Sequence, residues 1–129
     1  MPRKVLIVED TPYYASALEI ALSSLPDVVV SHAPTGGAAL EQLEALEPGT
    51  ACVILTDLHM PSMDGFELIE RLRSGERHQR LPVIVLSGDT DPETPGRIRR
   101  MGADAFFAKP YSPTEVRNKV EELLNAFAP

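Results

Sequence analysis

The sequence predicts an α/β fold: a doubly wound parallel sheet of five strands that alternate with five helices. Short apolar segments alternate with amphipathic segments along the whole chain, and most of the apolar segments are almost continuously hydrophobic. Strands covered by helices on both faces have such sequences, whereas strands with one solvated face alternate between apolar and polar residues. The length of 129 residues fits one domain with a sizeable core. In a sheet of this kind, ligands bind beyond the carboxyl ends of the strands.

Five apolar segments are predicted as strands. They are Val5–Val8, Val28–Ser31, Cys52–Thr56, Val83–Leu86 and Ala105–Ala108. None of them approaches the length of a membrane span, and the N-terminus lacks the apolar region of a signal peptide. We therefore expect a cytoplasmic protein without membrane insertion.

Helices are predicted between and after the strands from apolar residues three and four positions apart. The clearest sets are Ala17, Leu18, Ala21, Leu22 and Leu25, then Ala39, Leu40, Leu43 and Leu46, then Phe66, Ile69 and Leu72, and finally Val116, Val120, Leu123 and Leu124. Thr11-Pro12 and Ser112-Pro113 each place a capping side chain before a proline at the first helical position. The fourth helix contains Pro95-Gly96, and because glycine costs about 1 kcal/mol relative to alanine in a helix, we expect it to be short or mobile.

Charge and cysteine content exclude some functions. The net charge is −7, and no lysine or arginine occurs from Val5 through Glu70. A nucleic-acid groove needs clustered cations, so direct nucleic-acid binding is not expected. Cys52 is the only cysteine, which rules out an internal disulfide and predicts a buried, inert thiol in the third strand.

Polar residues follow four of the five predicted strands. Glu9 and Asp10 come after the first strand, Asp57 after the third, Ser87 after the fourth and Lys109 after the fifth. Carboxylates about 5 Å apart repel by about 3 kcal/mol per pair at an effective dielectric near 20. Three of them must share protons, pair with Lys109 or hold a cation. Oxygen ligands without a histidine or cysteine cluster favour Mg²⁺.

Four stretches of the sequence carry a family resemblance. They are Val5-Leu6-Ile7-Val8-Glu9-Asp10, Ile54-Leu55-Thr56-Asp57 with Met60-Pro61-Ser62-Met63-Asp64-Gly65, Val83-Ile84-Val85-Leu86-Ser87-Gly88, and Gly102-Ala103-Asp104 through Lys109-Pro110. Together they resemble the receiver domain of two-component response regulators, and the chain is similar to the chemotaxis member over essentially its whole length. The resemblance implies a flavodoxin-like (βα)5 fold with strand order 2-1-3-4-5. It also implies a single receiver domain over residues 1–129, with no output domain in this chain.

The same resemblance implies roles for the residues at the strand ends. Asp57 is expected to be the phosphoacceptor. Mg²⁺, or Mn²⁺, would be held by the side chains of Asp10 and Asp57, by the backbone carbonyl of His59 and, through water, by Glu9.

Further roles concern the phosphoryl group and the switch. Ser87 and Lys109 would contact the phosphoryl oxygens, and Phe106 matches an aromatic residue that changes rotamer on activation. The positions of His59 and Asp89 tune the lifetime of the phosphoryl group in the family. The Lys109-Pro110 peptide is expected to be cis, a geometry that is uncommon even before proline.

The expected function is a phosphorylation-dependent signalling switch. A sensor histidine kinase or a histidine phosphotransfer protein would donate the phosphoryl group. The change would reach a downstream protein through the face formed by helix four, strand five and helix five. The chain is not expected to be an enzyme beyond its own phosphorylation and dephosphorylation.

Other functions fit the residues to different degrees. The chain could be a receiver excised from a larger hybrid kinase or multidomain regulator. A Mg²⁺-dependent phosphohydrolase with an aspartyl nucleophile is disfavoured, because its best-known fold places two aspartates two residues apart after the first strand. A flavin-binding domain is disfavoured because the loop from Glu9 to Tyr13 is acidic and lacks glycine. The complete acidic set argues against an unphosphorylated interaction module.

Overall fold

The computed structural model describes residues 3–127 and contains one sheet of five parallel strands in the order β2-β1-β3-β4-β5. The elements are β1 (Arg3–Val8), α1 (Pro12–Leu22), β2 (Val28–Ala33), α2 (Gly36–Glu44), β3 (Cys52–Thr56), α3 (Gly65–Ser74), β4 (Val83–Ser87), α4 (Thr94–Arg100), β5 (Ala105–Ala108) and α5 (Pro113–Asn125). The predicted fold class and strand order are confirmed. None of the helices between residues 3 and 127 is both long and apolar enough to cross a membrane.

Helices cover both faces of the sheet. Helices α1 and α5 pack on one face, and α2, α3 and α4 pack on the other. Successive strand side chains point to opposite faces, so in β3 Val53 and Leu55 pack with α1 and α5, whereas Cys52 and Ile54 pack with the other three helices. Every residue of β3 and β4 is buried, which explains why these segments of the sequence are continuously apolar.

Several element ends differ from the predictions. Strand β2 continues two residues past Ser31 to Ala33, because its partner β1 continues and Val8 pairs with Ala33. Thr11 lies at the N-cap of α1, but its side chain makes no capping hydrogen bond, so that part of the prediction is wrong. Ser112 Oγ does accept a hydrogen bond from Glu115 N, at 3.3 Å. Helix α4 is short, as Pro95-Gly96 indicated.

Arg73 connects α3 to the loops that precede β4 and β5. Its guanidinium donates hydrogen bonds to the carbonyl oxygens of Gln79, Leu81 and Gly102 at 2.7–3.1 Å, and it lies 3.3 Å from an Asp104 carboxylate oxygen. Gly102 has a φ of +104°, and a Cβ there would lie 2.7 Å from Arg73 Nε. Burial lowers the pKa of Arg73, although Asp104 opposes that shift. This arginine therefore holds in place the two loops that lead into β4 and β5.

The strand order brings the polar strand ends together. Strand β1 lies between β2 and β3, and Val8 pairs with Thr56. The residues that follow, Glu9 and Asp57, therefore leave the sheet side by side. Since Ser87 pairs with Ala108, Lys109 leaves the sheet next to the end of β4. The strand order reverses between β1 and β3, and ligands of a doubly wound sheet bind beyond the carboxyl ends of the strands at that point.

Candidate functional site

Asp57 is held at the end of β3 by contacts to both carboxylate oxygens. Oδ1 accepts hydrogen bonds from the backbone N–H of Leu58 at 2.6 Å and of His59 at 3.4 Å. Oδ2 accepts from Lys109 Nζ at 2.9 Å. The Asp57 side chain is 12% exposed, so this carboxylate is oriented by the backbone yet still reaches the surface.

Lys109 bridges two carboxylates. Its Nζ donates to Glu9 Oε1 at 2.8 Å and to Asp57 Oδ2 at 2.9 Å, and the side chain is 10% exposed. Burial by itself opposes the charged form, but the hydrogen bonds to the two carboxylates outweigh it and raise the pKa of Lys109. The Lys109-Pro110 peptide is cis, as predicted.

Glu9 is the most buried member of the acidic cluster. Burial raises the pKa of Glu9, and the charge of Asp57 adds to the increase, while Lys109 opposes it. Its Oε1 contacts Lys109, whereas its buried Oε2 has no hydrogen-bond partner among the residues described. A buried carboxylate oxygen without a partner is costly unless a proton, a water molecule or a cation satisfies it.

Glu9, Asp10 and Asp57 form a candidate metal site. Each offers a carboxylate oxygen, and these oxygens lie within 4.8 Å of one another. No histidine or cysteine belongs to this group, which is the donor set of a hard divalent cation such as Mg²⁺. The partnerless oxygen of Glu9 and the exposed side chain of Asp10 leave ligand positions available. These residues therefore fit a magnesium ion.

Ser87 lies at the end of the neighbouring strand. Its side chain is fully buried, and Oγ accepts a hydrogen bond from Asp89 N at 3.0 Å. Because that contact uses a lone pair, the hydroxyl proton remains available to donate. Phe106 does not join the acidic cluster. It pairs with Val85 in the sheet and packs half-buried on the α2, α3 and α4 side, while Phe107 packs on the other side.

His59 and Asp89 connect the loops that follow β3 and β4. His59 Nε2 lies 3.0 Å from Asp89 Oδ2. The pKa of Asp89 is lowered, first by the backbone N–H of Asp91 and then by His59. The His59 ring also contacts Phe66 edge-on at 6.5 Å, and the guanidinium of Arg97 lies 4.0 Å above the Phe66 ring. A continuous line of contacts therefore runs from the loop beside Asp57 to α4.

Three residues near the cluster were given no role in the sequence analysis, although Gly65 belongs to a stretch that carries the family resemblance. Tyr14 lies in the first turn of α1, with its ring centroid 4.0 Å from Lys109 Nζ. His32 Nε2 lies 2.7 Å from the backbone oxygen of Glu9. Gly65 packs so closely that a Cβ there would collide with the backbone of Asp57. The signal for Gly65 was its place directly after Asp64 at a helix start, whereas Tyr14 and His32 carry no sequence signal beyond lying near strand ends.

Comparison with known proteins agrees with this geometry. The family model for the response regulator receiver domain matches residues 5–121. The chain is 31% identical over 125 residues to a response regulator of Synechocystis sp., covering 95% of this chain and 52% of that protein. It is 28% identical to a chemotaxis protein of Helicobacter pylori, with 94% of this chain and 96% of that protein covered.

A solved structure gives the same result. The signal receiver domain of a signal transduction histidine kinase from Syntrophus aciditrophicus superposes with a TM-score of 0.83 at 32% identity, covering 95% of this chain and 90% of that one. The chain belongs to the response regulator receiver domain family and is a receiver domain of two-component signalling. It spans about half the length of the Synechocystis regulator that it matches.

Proposed function

We propose that Asp57 accepts a phosphoryl group from a phosphohistidine of a sensor histidine kinase or a histidine phosphotransfer protein. The observation that carries the proposal is the placement of this carboxylate between two backbone N–H groups and the ammonium of Lys109, at the edge of an acidic cluster. Glu9 and Asp10 are the other members of that cluster. In this proposal the chain catalyses only its own phosphorylation and dephosphorylation, and it works in the cytoplasm, where it meets the kinase domains of its partners.

In the transfer, a carboxylate oxygen of Asp57 attacks the phosphorus. A new O–P bond forms while the P–N bond of the phosphohistidine breaks, and the electron pair leaves with the imidazole. With a small acyl phosphate, the P–O bond breaks and the carboxylate leaves. Lys109 then exchanges its contact with Asp57 Oδ2 for a phosphoryl oxygen, and the hydroxyl of Ser87 donates to another. Such a reaction depends on positioning and charge stabilisation.

Mg²⁺, or Mn²⁺, is the proposed cofactor. Asp10 and Asp57 would hold it through carboxylate oxygens, His59 through its backbone carbonyl and Glu9 through water. Bound there, the cation neutralises charge on the transferring phosphoryl oxygens.

The proposed readout lies at α4, β5 and α5. Ser87 ends β4 and is hydrogen-bonded to Asp89 in the loop that leads to α4. The contacts from His59 through Phe66 to Arg97 provide a second connection to that helix. Phe106 would move inward as Ser87 turns to the phosphoryl group, and a downstream protein would read the changed surface. In this proposal His59 and Asp89 control the access of water to the phosphoryl group and therefore its lifetime.

The proposal is tested with acetyl phosphate and Mg²⁺. Wild type should gain the mass of one phosphoryl group on Asp57, and Asp57→Asn should gain none. Asp64→Asn, at an aspartate that caps α3 outside the cluster, is the matched control and should label normally. Full labelling of Asp57→Asn would disprove the assignment.

The switch is tested with beryllofluoride, a phosphoryl mimic. Hydrogen exchange should change across residues 91–101 and around Phe106 in wild type, and not in Asp57→Asn. If hydrogen exchange changed only in the loops that contact the mimic, the switch would be disproved and passive phosphate transfer would replace it.

A second candidate context is a receiver within a larger hybrid kinase. The similarity to the receiver of a signal transduction histidine kinase at 32% identity supports it. The site chemistry would be unchanged, but the donor would be a histidine in the same polypeptide or a phosphotransfer protein. The reading frame of the full-length gene distinguishes the two contexts.

A further inference from the structure

The three tyrosines of the chain form a row whose middle member contacts the phosphoacceptor site. Tyr13 and Tyr14 contact edge-on with centroids 5.5 Å apart, and Tyr14 and Tyr111 are tilted at 6.1 Å. Tyr14, the middle member, has the Lys109 ammonium 4.0 Å above its ring. Tyr13 is 74% exposed, whereas Tyr14 and Tyr111 are half-buried.

The Tyr14 ring completes the surroundings of the ammonium. Lys109 donates to Glu9 Oε1 and to Asp57 Oδ2, and the face of the ring lies at the same cation. A cation above an aromatic face is attracted by the ring quadrupole, and the attraction is stronger where water is excluded. Lys109 is 10% exposed, so little water competes with the ring for the ammonium.

The ring contact also differs from the carboxylate contacts in what happens to it during the reaction. Phosphorylation changes the charge and the geometry at Asp57, so the ammonium must exchange that partner for a phosphoryl oxygen. Tyr14 belongs to α1, whose next residue, Ala15, is buried in the core, so the ring remains in place. Tyr111 packs beside the Tyr14 ring, with centroids 6.1 Å apart and the planes tilted by 36°.

We infer that Tyr14 is a positioning residue that holds the Lys109 ammonium at the phosphoacceptor while Lys109 changes partners. This inference rests on the proposed function of Asp57. It requires the ring and not the hydroxyl, because the face of the ring contacts the cation. The alternative is that Tyr14 only fills space beside Lys109. A non-aromatic side chain of similar size would then support the same rate of phosphorylation.

The test compares initial rates of phosphorylation by acetyl phosphate in Mg²⁺. Tyr14→Leu should lower the rate about fivefold, the factor that corresponds to about 1 kcal/mol. Tyr14→Phe should keep the rate within about twofold of wild type, because phenylalanine retains the ring face. Tyr13→Leu, at the exposed neighbour that does not contact Lys109, is the matched control and should be unchanged. If Tyr14→Leu does not fold, as judged by circular dichroism, Tyr14→Met replaces it.

A double-mutant cycle separates positioning from packing. In a Lys109→Met background, Tyr14→Leu should have no further effect on the rate, because the ring has no cation to hold. Equal rates for Tyr14→Leu and wild type would overturn the inference, as would equal slowing by the leucine and phenylalanine variants or a fivefold loss that persists without Lys109. Failure of the proposed function is distinguishable, because wild type itself would then remain unlabelled at Asp57.

Discussion

Replacing Lys109 by methionine removes the only cation that the described residues place within the acidic cluster. Its contacts of 2.8 Å to Glu9 and 2.9 Å to Asp57 each represent about 6 kcal/mol of gross attraction at an effective dielectric near 20. Methionine keeps most of the apolar stem but leaves the carboxylates uncompensated. Proton uptake by Glu9 and entry of water recover part of the loss. We therefore expect Lys109→Met to lower the free energy of unfolding without Mg²⁺ by about 3–5 kcal/mol.

Urea denaturation followed by circular dichroism measures this loss. Lys119→Met is the matched control, because Lys119 Nζ lies 3.1 Å from Glu122 on the surface of α5, and it should cost no more than about 1 kcal/mol. Millimolar Mg²⁺ should stabilise Lys109→Met more than wild type, since the cation takes over the lost compensation and no ammonium competes with it. A metal-free Lys109→Met variant as stable as wild type would refute the reasoning.

Three further predictions concern stability. Arg73→Met should lower the free energy of unfolding by about 2–4 kcal/mol, because the part-buried carbonyl oxygens that accept from Arg73 lose their donor. The control Arg71→Met removes an exposed ion pair with a 3.6 Å separation and should cost less than about 0.5 kcal/mol. Equal urea midpoints for the two variants would contradict this prediction. Burial raises the pKa of Glu9 above its ordinary value of 4.5, so the folded state favours the protonated side chain. The stabilisation that this protonation gives to the folded state is fully present below pH 4.5 and is lost as the pH rises through the folded-state pKa. The metal-free domain should therefore lose stability across that window, and Glu9→Gln should flatten the decline; an unchanged slope in thermal melts at stepped pH would contradict this. Gly65→Ala should destabilise the domain by about 1–3 kcal/mol through overpacking, whereas Gly88→Ala, where a Cβ meets nothing within 4 Å, should be tolerated; similar melting temperatures for the two would count against the close approach at Gly65.

The fold and the acidic cluster could be predicted because both follow from local patterns and one topological rule. Apolar runs gave the strands, and parallel strands deliver the residues after their carboxyl ends to one edge of the sheet. Glu9, Asp10, Asp57 and Lys109 could be grouped without knowledge of any side-chain conformation. The error at the end of β2 has a physical reason: pairing with β1 carries His32 and Ala33 into the sheet, although His32 is polar.

Contacts made by long side chains could not be predicted in the same way. Lys109 contacts both Glu9 and Asp57, and these contacts depend on the rotamers of the side chains involved. Arg73 reaches the carbonyl of Gly102, 29 residues away, and no local pattern encodes a partner at that separation. Tyr14 was indistinguishable from any other residue in the first turn of a helix. Such contacts depend on rotamers and burial that exist only after the chain has packed.

The row of tyrosines gives this protein a built-in optical probe. The chain has no tryptophan, so its ultraviolet emission comes from three neighbouring phenol rings, of which the middle one contacts Lys109. When that ammonium shifts toward an arriving phosphoryl group, the emission of the whole protein should change with it. Stopped-flow fluorescence can then follow the reaction in unlabelled wild-type protein, because the emission of the whole protein comes from a row of rings whose middle member lies at the phosphoacceptor site.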